Sequence, residues 1–259
     1  MTTPAGKTKM TFIVLLIILL SLGSVVNTQV QAQVKNIVLV HGAFADGSGF
    51  EGIYKILKSK GYNVYVVGNP DTSMPDDVAA TQRVLDQVNG PCILVGHSYG
   101  GAIITEAGNS PKVKGLVYIA AFVPDPGHSV IDLLNSAPHD PASGILPPDN
   151  GFVWYDKAKY HSGFCADIPK EQAEFMADSQ LPTALVSFTY IFKDDVAWKT
   201  KPCWYIVAGE DHSIPPSLER EMGKKTGGKV YEIKASHLVF ISHPKEVADI
   251  IDTAAKAAK

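Results

Sequence analysis

From residue 34 onward, short apolar runs rich in β-branched residues alternate with segments whose apolar positions recur at three- and four-residue spacing. The runs are Val34 to His41, Tyr62 to Val67, Cys92 to His97, Lys114 to Ala121, Trp204 to Ala208 and Lys229 to Lys234. Near-continuous apolarity marks strands covered on both faces, and the helical stretches between them supply the crossovers that parallel pairing requires. The pattern predicts an α/β domain: a six-stranded, mostly parallel core sheet flanked by helices. Ser48-Gly49-Phe50-Glu51 reads as a capping box, opening a helix that buries Phe50, Ile53, Tyr54 and Leu57 before Gly61 stops it. A second helix runs from Pro75 to about Val88, with Val78, Leu85 and Val88 inward. A third follows Ser98 and ends at Pro111.

The rhythm breaks between the fourth and fifth strands. Residues from about 123 to 199 are proline-rich, with a helix expected at Ser129 to Asn135, a strand-like run at Phe152-Val153-Trp154-Tyr155 and a helix at Lys170 to Asp178. Because the last two strands return to the same sheet, this stretch is expected to be a cap inserted after the fourth core strand. Residues 33–259 then form one domain.

The N-terminus follows a different pattern. Lys7 and Lys9 precede a 15-residue apolar core, residues 12 to 26, and Val30-Gln31-Ala32 offers small residues where a signal peptidase reads. The core is shorter than the roughly 20 residues that span a bilayer. A signal peptide over residues 1–32 is expected, cleaved near Ala32, with export and no stable membrane anchor afterwards. Its loss removes two lysines and no acids, taking the formal net charge from −3 to −5. No basic patch remains to argue for nucleic acid. The three cysteines, Cys92, Cys165 and Cys203, match neither a disulfide framework nor a zinc spacing. Cys92 and Cys203 open strands and read as small buried hydrophobes, whereas Cys165, in a more polar stretch, is the candidate for an accessible thiol.

Candidate chemistry centres on Gly96-His97-Ser98-Tyr99-Gly100-Gly101, between the buried run Cys92 to Val95 and the helical Gly101-Ala102-Ile103-Ile104. A serine at so tight a strand-to-helix turn is held strained, its hydroxyl at the top of the sheet, and only glycines fit where the helix doubles back. Ser98 is therefore the candidate nucleophile. It needs a base, and the base needs a carboxylate to fix its tautomer, both on loops at the carboxyl ends of strands.

Of the eight histidines, His237 lies two residues beyond the last strand and is the expected base, while His243 sits at a helix start, and His41 and His97 precede glycines at strand ends, where they are expected to shape the oxyanion loop and the turn at Ser98 rather than transfer protons. His128, His139 and His161 belong to the cap, and His212 follows an acid. Asp211, just past the strand Trp204 to Ala208, is the preferred acid; its rivals are the adjacent Glu210, expected to point elsewhere, and Asp125, after the fourth strand. The oxyanion donors are expected to be the amides of Tyr99 and of Phe44, in the turn His41-Gly42-Ala43-Phe44, with Ala43 the alternative to Phe44. Phe44, Phe122, Phe152, Trp154 and Tyr155 are candidate lining residues of an apolar pocket.

With Ser98, Asp211 and His237 in Ser…Asp…His order, the chain resembles the α/β-hydrolase superfamily. His41-Gly42-Ala43-Phe44-Ala45-Asp46-Gly47-Ser48 and the capped layout look like the small bacterial hydrolases grouped with plant methylesterases, hydroxynitrile lyases and pyrethroid hydrolases. The resemblance implies an α/β-hydrolase fold and a serine esterase cleaving carboxylic esters of small to medium apolar molecules, with no cofactor and no metal. It also implies that the lyases carry a lysine after the catalytic histidine, where this chain has Leu238. Perhydrolysis, C–C cleavage and non-catalytic ligand binding are the competing readings.

Overall fold

The computed structural model describes Met1, Thr2 and residues 34–258; the apolar segment read as a signal peptide lies outside them. Ala32–Lys259 forms a compact unit distinct from Met1–Gln31. It opens with strand β1 (Asn36–Val40), all five residues buried. A 3-10 turn at Gly47–Phe50 leads into helix α1 (Glu51–Ser59). Ser48 does not cap: the Asp46 carboxylate accepts its backbone N–H, and α1 starts three residues later. Glu51 is thus spent on a helical pair with Lys55, and Tyr54 faces outward, 37% exposed, rather than into the core.

Strand β2 (Asn63–Val67) and helix α2 (Met74–Gln87) follow, the helix capped by the Ser73 hydroxyl, which accepts from the amide of Asp76. Then come β3 (Cys92–His97), α3 (Tyr99–Ala107) and β4 (Val113–Ile119). After β4 the chain leaves the sheet through α4 (Val130–Asn135), β5 (Phe152–Val153), α5 (Lys157–Lys159), α6 (Lys170–Asp178), β6 (Thr183–Ala184) and α7 (Leu185–Phe188). The α4 start is a true capping box between Ser129 and Asp132, and β5 pairs antiparallel with β6. The chain returns with β7 (Cys203–Ala208), α8 (Pro216–Lys225), β8 (Lys229–Ile233), α9 (Val239–Ser242) and α10 (Pro244–Ala257).

The six core strands lie in the order β2-β1-β3-β4-β7-β8, every pairing parallel. Helices α1 and α10 pack together, and α2 packs on α3. Strand β1 runs on to β2 on one side, while β3 adds on its other side. The crossover therefore reverses direction at β1 and β3, opening a crevice at their carboxyl ends. Two turns meet in that crevice: the one leaving β1, and the one carrying Ser98.

Candidate active site

Ser98 joins β3 to α3 with φ 52° and ψ −122°, a backbone conformation that costs on the order of 1–3 kcal/mol and persists only where the surroundings enforce it. They do so on both sides. Its N–H donates to the Ile119 carbonyl at 3.1 Å, and its carbonyl accepts from Gly101 at 2.9 Å and Phe122 at 3.1 Å. A methyl group on Gly96 would lie 2.5 Å from the Gly100 carbonyl oxygen, and one on Gly100 would lie 2.5 Å from that of Val40. The helix can double back on its strand only because both side chains are missing.

His237 follows β8 on the loop that topology requires. Its Nδ1 hydrogen-bonds Asp211 Oδ2, and the other Asp211 oxygen accepts the backbone N–H groups of Ser213 at 2.6 Å and Ile214 at 2.9 Å. A carboxylate only accepts, so Nδ1 carries the proton and Nε2 is left with its lone pair. That Nε2 is buried with no protein partner, and His237 and Ser98 line the same cleft. Asp125 is elsewhere: it pairs with Lys225 at 2.6 Å. Glu210 points outward to Lys234, and His212 bonds Asp140.

Three further groups hold this arrangement: His97, expected to shape the turn at Ser98, and Asp167 and Glu219, which sequence reasoning missed. His97, fully buried, has its pKa driven well below the usual value, by burial first and His237 second. Neutral, it donates from Nε2 to the His237 carbonyl at 3.1 Å, tying the His237 loop to the end of β3. Asp167, from the segment between β4 and β7, accepts the backbone N–H of Ser236 at 3.0 Å and the Ser236 hydroxyl. Glu219, on α8, is fully buried beside Asp211 and accepts the Ala208 N–H at 3.0 Å. Burial first, then the Asp211 charge, pushes its pKa well above the carboxylate range. Only its place in the first turn of a helix after β7 hinted at this.

In the turn leaving β1, a methyl on Gly42 would come 2.7 Å from Ser98 Cβ, which measures how closely the backbone approaches the serine. Phe44 sits at φ 61°, its carbonyl accepting from the Tyr160 hydroxyl at 2.9 Å. Among the described residues, the amides of Ala43, Phe44 and Tyr99 donate to no protein acceptor.

The cleft, about 680 Å³ with its open mouth included, is lined mostly by apolar side chains, with Ser98, His237 and Ser213 among its few polar ones. Phe44 and Phe122 line it as expected, but Phe152, Trp154 and Tyr155 do not. The strand-like run alternates: Val153 faces the cleft, while Phe152 and Trp154 are 37% and 39% exposed on the outer side. Tyr155 is buried one layer back, its ring against Phe44 and its hydroxyl 3.3 Å from Ser213 Oγ. Ile131, Leu134, Leu185 and Phe188, from α4 and α7, supply walls that the sequence did not announce. Cys92, Cys165 and Cys203 are free and buried, Cys165 included, each thiol pushed up to about 12 by burial.

A carbendazim hydrolyzing esterase from a Nocardioides species is 29% identical over 245 residues, spanning 83% of this chain and 97% of that protein. A pyrethroid hydrolase from Sphingobium wenxiniae is 30% identical over 252 residues, spanning 84% and 86%. The crystal structure of a pyrethroid hydrolase from Sphingobium faniae superposes with a TM-score of 0.75 at 27% identity, covering 86% of this chain and 98% of that one. With residues 37–250 also matching its sequence pattern, the chain belongs to the alpha/beta hydrolase family.

Proposed function

We propose that this protein hydrolyses carboxylic esters of small to medium apolar molecules through an acyl-enzyme on Ser98. The observation that carries the reading is the His237 ring, with Nδ1 held by Asp211 and Nε2 buried without a partner among the described residues, in a residue that lines the same cleft as Ser98. His237 takes the Ser98 proton as the hydroxyl attacks the ester carbonyl, and Asp211 stabilises the imidazolium. The oxyanion rests on the Tyr99 amide and on one from the turn after β1. Phe44 is the expected source of that second amide, with Ala43 the alternative, and the missing side chain of Gly42 lets their turn approach Ser98 closely. His237 then protonates the leaving alkoxide, and water repeats the sequence on the acyl-enzyme.

The apolar cleft walls and the ester-hydrolysing relatives support an uncharged, apolar substrate. Leu238, buried beside His237, offers no cation for a departing cyanide, which weighs against lyase chemistry. The leader before residue 33 supports export to the periplasm or medium. Ser98→Ala is expected to lower kcat on a chromogenic short-chain ester by about 10⁶-fold with an unchanged circular dichroism spectrum. Activity within tenfold of the parent overturns the mechanism.

A further inference from the structure

A second chamber adjoins the cleft, and the mechanism makes no use of it. With its open mouth included it measures about 770 Å³, and Leu134, Ile145 and Ser213 stand in the walls of both spaces. The rest of its wall differs in kind. Where the cleft is lined mostly by apolar side chains, the chamber adds Asn135, His139, Asp140 and Ser143. Neither space has a lysine or arginine among its described lining residues. The nearby Lys159 ammonium is taken up by the Pro141 and Ser143 carbonyls, at 3.0 and 3.3 Å.

Ser213, common to both walls, is anchored to the groups that hold the imidazole. Its backbone N–H donates to Asp211 Oδ1 at 2.6 Å, and the other oxygen of that carboxylate holds His237 Nδ1. Its hydroxyl donates to the Gly163 carbonyl at 3.1 Å, next to Phe164, whose ring lies 4.9 Å from that of His237. The chamber therefore adjoins the cleft on the imidazole's side. A leaving alkoxide takes its proton from that imidazole, so the alcohol portion of an ester lies on this side too.

The acceptors present decide what that alcohol can carry. With its proton committed to Gly163, the Ser213 hydroxyl takes the Tyr155 hydroxyl at 3.3 Å and keeps one lone pair. Asp140 is also an acceptor: Oδ2 holds His212 Nδ1 at 2.7 Å, Oδ1 takes the Ala142 N–H at 2.8 Å, and each keeps a further lone pair. Ser143 is 7% exposed, and its Oγ meets no partner among the described residues. Buried hydroxyls are nearly always paired, so this one marks a wall that the protein by itself leaves unsatisfied.

We propose that this chamber is the alcohol subsite, and that it takes an uncharged alcohol bearing a second hydroxyl, as the ester of a diol or polyol does. The proposal rests on the esterase reading given above; the acyl portion keeps the apolar cleft. A hydroxyl donates to the free lone pairs of Ser213 and Asp140, and a methyl group does not. A carboxylate meets Asp140 with no lysine or arginine in the wall to receive it.

The test moves one hydroxyl between the two halves of an ester and reads kcat/KM by pH-stat at about pH 8. Going from pentyl butyrate to ω-hydroxybutyl butyrate, which exchanges a terminal methyl for a hydroxyl, should leave kcat/KM within about threefold or raise it. The same exchange on the acyl side, ethyl heptanoate to ethyl ω-hydroxyhexanoate, should cost about tenfold or more, and so should an ω-carboxypropyl alcohol. Ser213→Ala, which keeps the N–H to Asp211, should lower the hydroxybutyl-to-pentyl ratio about threefold to tenfold. Ala137→Phe, at a half-buried position of the chamber wall that the cleft lacks, should lower kcat/KM about tenfold more for hydroxybutyl than for methyl butyrate.

A hydroxyl that costs as much on the alcohol as on the acyl side overturns the proposal. So does a hydroxybutyl-to-pentyl ratio unchanged in Ser213→Ala, or an Ala137→Phe enzyme that affects both butyrates equally. Fluorophosphonate labelling of Ser98 reports that each variant is folded, and if Ser213→Ala fails to label, the comparison of the two halves in the parent decides. A parent that hydrolyses none of these esters overturns the esterase reading and this one with it, whereas hydrolysis without the asymmetry overturns this one alone.

Discussion

The two carboxylates that compete in the sequence for the acid's role are separated by one pair of isosteric changes, Asp211→Asn and Asp125→Asn. At Asp211 the outcome follows from its hydrogen bonds. Oδ1 accepts two backbone N–H groups, from Ser213 and Ile214, so an asparagine must keep its carbonyl oxygen there and turn its NH₂ toward His237. That NH₂ can only donate, which forces the proton off Nδ1 and onto Nε2. The ring then shows Ser98 an N–H instead of a lone pair and cannot act as base.

A wrong tautomer in such a triad costs about 10⁴ in kcat, or about 5.5 kcal/mol of barrier. Asp125 makes one partly exposed ion pair with Lys225, so Asp125→Asn should change stability by under about 1 kcal/mol and leave kcat alone. Steady-state kinetics on a chromogenic ester near neutral pH reads both, and the rate of fluorophosphonate labelling at Ser98 reports the nucleophile independently of turnover. An Asp211→Asn enzyme within tenfold of the parent, or a large loss in Asp125→Asn, refutes the assignment.

Two other expectations are independent of that pair. Burial raises the Glu219 pKa in the folded protein above its unfolded value, so its contribution to stability is present in full only below the unfolded pKa and declines as pH rises toward the folded one, by up to about 1.4 kcal/mol per unit. Glu219→Gln should retain activity and gain in Tm over the parent as pH is raised from about 5 to about 8; a constant Tm difference would show that the carboxyl is not held neutral. The export reading predicts that protein recovered from the periplasm or medium begins just after Ala32, as N-terminal sequencing or intact mass will show; recovery only in the cytoplasm with Lys7 and Lys9 retained rejects it.

What reads directly from this chain is whatever depends on neighbours in sequence. The β3 span Cys92–His97 and the α6 span Lys170–Asp178 come out as the residue pattern predicts, because apolar periodicity and helix-start signals are local. The glycines around Ser98 are legible for the same reason: a strand that must turn back on itself within four residues leaves no room for Cβ.

Local signals fail where a distant partner decides. Ser48 has the spacing of a cap, but Asp46 takes its amide first. Phe152 and Trp154 are the larger side chains, yet pairing of β5 with β6 turns Val153 inward, and a strand cannot present adjacent residues to one face. Cys165 is shielded because the segment over the sheet folds on itself.

The sequence by itself determined the sheet, the strained serine and the two loops from which an acid and a base could come. That two backbone amides and the His237 imidazole converge on Asp211, while Asp125 pairs with Lys225, emerges only once the chain is folded, because those partners lie far apart in sequence. The tertiary structure alone revealed the buried carboxyl of Glu219. A carboxyl group's charge is set by the dielectric and the donors that folding assembles around it, and no pattern along the chain encodes those.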